Sequence, residues 1–309
     1  MEAQSDSKKI GPDDLEKWIV QGRAITIINT LPGEEHAKRH IPSSANACVY
    51  EVSFAQQVVE IINDKHHQVV LYGSSERSQD AAVAAKKLMR LGYDNVYVLS
   101  RGLAGWKAAG YPLEGTDPHE ATDPATSLQL VEGTYIVDTQ ASVIEWTGRN
   151  PNGKHYGSLR LSSGQVTIGD AGISGTFEID MTSIKNLDLE GDELYPVLID
   201  HLESDDFFFT KLFPRASFTI TSATPVSGQP VTVPNFEIKG DLKIRGVRQE
   251  IGFPATFSTL ADGAIAAEAH FDIDRTRWNI IYGSSRFFEH LGMHVVFDLI
   301  SIQLRIVAG

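Results

Sequence analysis

Two periods of apolar residues divide the chain. Up to about residue 115, short continuous apolar runs alternate with segments that are apolar at helical spacing. ITIINT (25–30), QVVLYG (68–73) and NVYVLS (95–100) suit strands buried on both faces. Between them DDLEKWIV, FAQQVVEIINDK and SQDAAVAAKKLMRLG carry the 3.6-residue spacing, and Gly92 is placed to end the last of these helices. Strand and helix in alternation predict a mainly parallel sheet with helices on both faces.

Past about residue 130 the period becomes two. ASFTITS puts Ala216, Phe218 and Ile220 on one face. FEIKGDLKIRG puts Phe236, Ile238, Leu242 and Ile244 opposite Glu237, Lys239, Asp241, Lys243 and Arg245. IGFPATF and AIAAEAHFDI continue the pattern through Ile251, Phe253, Phe257, Ile265, Phe271 and Ile273. Many such strands with turn signals between them predict an antiparallel barrel or sandwich. The one long interruption, 183–214, holds a helix-compatible stretch, ELYPVLIDHL, and the aromatics Phe207, Phe208, Phe209 and Phe213. Between the two patterns TDPHEATDPATSLQ has no apolar period and reads as a linker. The expected division is 10–115, a linker at 116–130, and 131–309.

A length of 309 residues fits two domains, and 42% apolar with 22% charged residues fits a soluble globular protein. No apolar run is long enough to span a membrane, and the amino-terminal stretch lacks a signal-peptide core, so the expected location is cytoplasmic. The net charge of −13 is uneven: 13 Lys+Arg against 15 Asp+Glu up to residue 118, then 14 against 25. An acidic second half argues against nucleic acid or anionic membrane as partner. The single cysteine, Cys48, excludes an intramolecular disulfide and reads as a small buried hydrophobe.

Three places hold candidate chemistry. GSSERS (73–78) lies between a strand and a helix, where backbone amides can hold an anion; Arg77 adds a cation and Ser78 an N-cap. His36 and His40, four apart, are a weak metal pair, and Asp188, Glu190, Asp192 and Glu193 fail calcium-loop spacing because Gly191 comes too early. In HFDIDRTRW the period puts Asp272 and Asp274 on an exterior face, to pair with arginine. Ser204 reads as an N-cap ahead of Asp205 and Asp206, and His201 as sitting at a helix end.

Residues 10–115 resemble a rhodanese-like domain through IGPDDLEKWI, RHIPSSANA, LYGSSERSQDAA and GYDNVYVLSRGLAGWKAAGYPLE. That resemblance implies a loop that carries a persulfide on its first residue, a cysteine, with Arg and Ser closing it. Here Gly73 stands at that place, Asn29 and Leu31 replace an Asp-x-Arg pair, and Glu76 adds negative charge. The loop Gly73, Ser74, Ser75, Glu76, Arg77 and Ser78 is thus expected to be degenerate, an anion-shaped turn without its nucleophile. No sulfurtransferase activity is expected from it.

Residues 132–307 resemble the YceI-like family, through GTYIVDTQASVIEWTG, FEIDMTSIKN, HLESDDFFFTKLFPRASFTITS, IKGDLKIRGVRQEIGFPATF and FDIDRTRWNIIYG. The resemblance implies a lipocalin-like barrel holding a polyisoprenoid or similar chain. The expected fold is therefore an α/β parallel sheet with flanking helices, then an all-β antiparallel barrel with a short helical insertion. Expected lipid contacts are Trp146, Phe177, Phe207, Phe208, Phe209, Phe213, Phe218, Phe236, Ile238 and Phe271. No metal or cofactor is expected beyond a bound polyisoprenoid or fatty acyl ligand. A protein partner for the first domain and homodimerisation through the barrel are further candidates. The competing readings are a sulfurtransferase or stress-related enzyme using Cys48, and an inert interaction scaffold.

Overall fold

The computed structural model describes residues 7–118, 128 and 130–309, and the chain divides into two units, 1–122 and 123–309. The first runs β1 (Lys8–Ile10), α1 (Pro12–Val20), β2 (Ile25–Asn29), α2 (Gly33–Lys38), β3 (Ala45–Asn46), α3 (Phe54–Ile61), β4 (Gln68–Tyr72), α4 (Asp80–Arg90), β5 (Val96–Leu99) and α5 (Gly102–Ala108). Its strands pair in parallel in the order β1-β5-β4-β2-β3. Val69 and Leu71 of β4 face Phe54, Val58, Ala84 and Leu88, while Val70 and Tyr72 face Leu15, Leu103 and Trp106. Both faces of the central strand are covered, which is why it reads as a continuous apolar run. At the end of α4, Gly92 takes φ +93° while its amide and that of Tyr93 close back on Met89 and Leu88, the left-handed stop its position suggested.

The second unit runs β6 (Gly133–Ile136), β7 (Val143–Asn150), β8 (Gly153–Gly169), β9 (Gly172–Asn186), α6 (Tyr195–Glu203), β10 (Arg215–Pro225), β11 (Phe236–Ile244), β12 (Val247–Thr259), β13 (Ile265–Asp274) and β14 (Leu299–Ala308). Antiparallel pairing runs β8-β7-β14-β13-β12-β11-β10-β9, and β9 pairs back onto β8, closing an eight-stranded barrel with β6 attached to β8. Closure removes the free edges that an open sheet would expose. Register shifts in β8, between Ser158 and Arg160 and between Leu161 and Ser163, supply the local bending that closure needs. Along β11 the odd-even pattern holds residue by residue, with Phe236, Ile238, Gly240, Leu242 and Ile244 buried. A side chain at Gly240 would run into the Phe218 ring, so this glycine makes room for an inward aromatic on β10.

Three local expectations change. Ser204 ends α6 instead of starting a helix: its backbone is extended and its hydroxyl donates back to the His201 carbonyl at 2.7 Å. His40 lies beyond the end of α2, its ring stacked on His36 at 4.2 Å, and no metal-binding group of three acidic, His or Cys residues occurs among the described residues. Arg275 is fully buried: it shares the inward parity of Phe271 and Ile273, at the point where β13 gives way to a 3-10 turn, Arg275–Trp278. The expected linker falls largely on 119–127 and 129, outside the described residues. No helix among the described residues is long and apolar enough to cross a membrane.

Candidate functional site

The barrel encloses a cavity of about 200 Å³. On the same measure one water needs only about 10–15 Å³, so this is far more than a packing defect. Its wall is built from the inward positions of the strands, among them Leu161, Ile179, Met181, Ile238, Phe253 and Leu304. Among the described residues Arg275 is the only charged side chain on it. An empty apolar void costs on the order of 20 cal/mol per Å³ in lost packing, several kcal/mol here, a large part of a domain's net stability. Apolar walls also offer water no partners. The space is therefore suited to hydrocarbon.

Seven of the ten expected contacts line it: Trp146, Phe177, Phe207, Phe208, Phe218, Ile238 and Phe271. The other three do not. Phe209 and Phe213 pack edge to face, 6.2 Å between centroids, in the connection after α6. Phe236 is buried against Phe257 at 4.9 Å. Within the cavity Phe253 stacks on Phe271 at 4.1 Å and meets Phe218 at 5.7 Å, forming one aromatic band.

One end of the cavity is walled by α6 and two connections, through Leu202, Phe207, Phe208, Ile280, Val296 and Phe297. Phe297 lines the cavity yet is 46% exposed, so the cavity meets the surface here. Charged side chains fasten these segments. Arg275 donates to the carbonyls of Ile280 (2.7 Å), Val296 (3.0 Å) and Phe297 (3.1 Å), with Asp298 at 3.8 Å. Arg245, in the β11–β12 turn, donates to the Phe207 carbonyl at 2.6 Å. Asp274 accepts from the Thr276 amide and hydroxyl and from Arg286 at 2.7 Å. Burial opposes its charge, but these donors outweigh it and hold its carboxyl below the usual range. Asp188 is similar: burial opposes ionisation, and the Tyr156 amide, His155 and Asn186 more than compensate. That carboxylate ties the segment after β9 to β8. Sequence reasoning missed Arg275 as a wall residue, since DIDRTRW looks like an exposed charged strand.

In the first unit the loop after β4 keeps its turn but not its space. A Cβ on Gly73 would overlap the Asp80 carboxylate, which turns back from the first position of α4. Asp80 is 4% exposed and accepts from the Ser74 amide at 3.1 Å and the Ala81 amide at 2.7 Å. The amides of Arg77 and Ser78 are taken by Ser75. The carbonyls of Gly73 and Ser74 accept from Leu103 and Ala104 at the start of α5. The chain's own carboxylate thus fills the place of an anion in the loop expected to be an anion-shaped turn without its nucleophile. Ser78 is not the N-cap; Gln79 is, without a side-chain bond. Cys48 is buried at 4% exposure in the segment after β3, outside this loop, so the loop has no sulfur.

Comparison with known proteins gives two family matches: residues 135–308 match the YceI-like domain and residues 11–109 the rhodanese-like domain. Uncharacterized protein BU052 of Buchnera aphidicola is 31% identical over 109 residues, covering 35% of this chain and 73% of its own length. Among solved structures, BcnA of Burkholderia cenocepacia shares 22% identity over 56% of this chain and 99% of its own, with a TM-score of 0.45. A polyisoprenoid binding domain from Saccharophagus degradans, implicated in plant cell wall breakdown, shares 17% over 56% of this chain and 97% of its own, with a TM-score of 0.40.

Proposed function

Since the chain belongs to the YceI-like family, with a rhodanese-like domain on its amino-terminal side, we propose that the barrel carries or stores one long apolar chain, a polyisoprenoid or a fatty acyl lipid. The observation that supports this reading most is the cavity itself, about 200 Å³ with a single charged residue on an otherwise hydrophobic wall. Each buried methylene contributes about 0.8 kcal/mol, so a chain binds tightly there without ionic contacts. The rhodanese-like domain acts in this reading as a non-catalytic module that docks the carrier onto a protein partner. Its loop offers no thiol, and Cys48 is buried away from it.

Competition against a fluorescent fatty acyl probe, with fatty esters and polyprenols of increasing length, tests the proposal. Affinity rises roughly fourfold per added methylene until the cavity is full, and then levels off. Affinity that is independent of length, or no competition at any length, overturns it.

A further inference from the structure

Exposed apolar side chains gather at one end of the barrel. In an antiparallel barrel alternate connections share an end, so β7–β8, the segment with α6 between β9 and β10, β11–β12 and β13–β14 lie together where the cavity meets the surface. Leu194, Val197 (62% exposed), Phe287, Phe288, Met293 (86%) and Phe297 all belong to this end and are exposed. At the opposite end, among the described residues, the β8–β9, β10–β11 and β12–β13 connections expose no Val, Leu, Ile, Met or aromatic side chain.

The α6 segment and the β13–β14 connection are neighbours. His201 meets Tyr282 edge to face at 4.6 Å, and the Tyr282 hydroxyl lies 3.1 Å from His294 Nδ1. Val197 is one turn before His201 on α6, and Met293 directly precedes His294. Phe297 belongs both to this surface and to the cavity wall, which makes the patch continuous with the cavity. Apolar surface gathered around an opening marks a contact site.

Charge limits what can cover it. Asp192, Glu193, Asp200, Asp205 and Asp206 are exposed within 187–214, where Lys211 is the sole Lys or Arg. Arg286, on the β13–β14 connection, is taken by Asp274 and Asp298. Such a rim repels an anionic surface, and a second copy set mouth to mouth would bring two acidic rims together while shutting both cavities. A bilayer of zwitterionic head groups has no net charge to oppose the rim and accepts exposed apolar side chains. It also spares a long chain the passage through water, where each exposed methylene slows release roughly fourfold and ten slow it about a millionfold.

We propose that this end of the barrel docks on the surface of a neutral lipid bilayer and exchanges its ligand there during contact. The proposal rests on the reading of the barrel as a lipid carrier and adds the surface from which the ligand is taken.

The test follows transfer of a fluorescent fatty acyl probe from the loaded full-length protein to phosphatidylcholine vesicles that contain a quencher. Transfer by contact gives a rate that rises in proportion to vesicle concentration. Val197→Gln with Met293→Gln, both off the cavity wall, is expected to slow transfer about tenfold and to leave the equilibrium affinity for the probe unchanged. Vesicles with one part in about three of phosphatidylglycerol are expected to receive the probe more slowly, and added salt to narrow the gap. A rate independent of vesicle concentration, a rate unmoved by the double variant, or faster transfer to the anionic vesicles overturns the proposal while leaving lipid carriage standing. A dimer in sedimentation that the double variant dissociates, together with a rate independent of vesicle concentration, assigns the patch to a second copy instead. Failure of the unaltered protein to bind the probe removes the carrier reading, and this proposal with it.

Discussion

The two domains treat an interior space in opposite ways. In the rhodanese-like domain the loop after β4 is closed from within: Asp80 occupies the position next to Gly73, and the Ser74 amide is committed to it. In the YceI-like barrel the inward side chains stop short of one another and leave about 200 Å³, bounded by Phe177, Phe253 and Phe271. A fold inherited with a site can keep its backbone while one side chain fills the site, whereas space that costs stability persists where something else occupies it.

The sharpest way to break this contrast is at the cavity mouth. Arg275→Leu removes the donor for three carbonyls and one of the two arginines beside Asp298, leaving Arg286 at 3.0 Å as the other. It is expected to destabilise the barrel by about 3 kcal/mol or more, read from chemical denaturation, and to speed ligand release. Filling the cavity comes next. Ala216, buried on β10, lines it, and Ala216→Trp displaces three or four methylenes of ligand. At about 0.8 kcal/mol each this weakens lipid binding roughly 100-fold, with the fold kept, as circular dichroism should show. The same class of change in the other domain has a different readout. Gly73→Cys forces its Cβ into Asp80 and is expected to cost about 1–3 kcal/mol without creating sulfur transfer from thiosulfate to cyanide. Adding Asp80→Ala restores much of that stability; an active single variant would show that the loop is not closed.

The smallest effect is that of pH. Asp188 and Asp274 have carboxyls held below their ordinary range in the folded protein. Their contribution is present above the unfolded value of about 4 and is lost as pH falls through the lower folded value. Thermal stability should therefore be insensitive to these groups between pH 6 and 5 and decline below about 4. Asp188→Asn should blunt that decline.

Much of the fold is legible in the sequence because burial sets the period. β4 is covered on both faces and shows an unbroken apolar run; β11 is covered on one and alternates. The helices α2 and α5 are less visible, since GEEHAK has almost no apolar face and GLAGWKA opens on glycine. The site is only partly legible. A cavity wall and a solid core use the same residues, so periodicity finds Phe218 and Ile238 but does not say that space lies between them. Phe209, Phe213 and Phe236 share the composition of the wall and pack outside it. Arg275 was hidden because its charged neighbours suggest a surface, although it shares the parity of the inward Phe271 and Ile273. Asp80 was hidden for another reason: only the turn into α4 brings a carboxylate back over Gly73.

The central claim is that the barrel's space is filled by lipid while the loop's space is filled by the chain itself. Native mass spectrometry of the purified full-length protein, before and after organic extraction, tests it most directly. The account predicts a mass excess of one long-chain lipid, its loss on extraction, and its return when a polyprenol or fatty ester is added. A protein that carries only the mass of its polypeptide and takes up neither added lipid would contradict it.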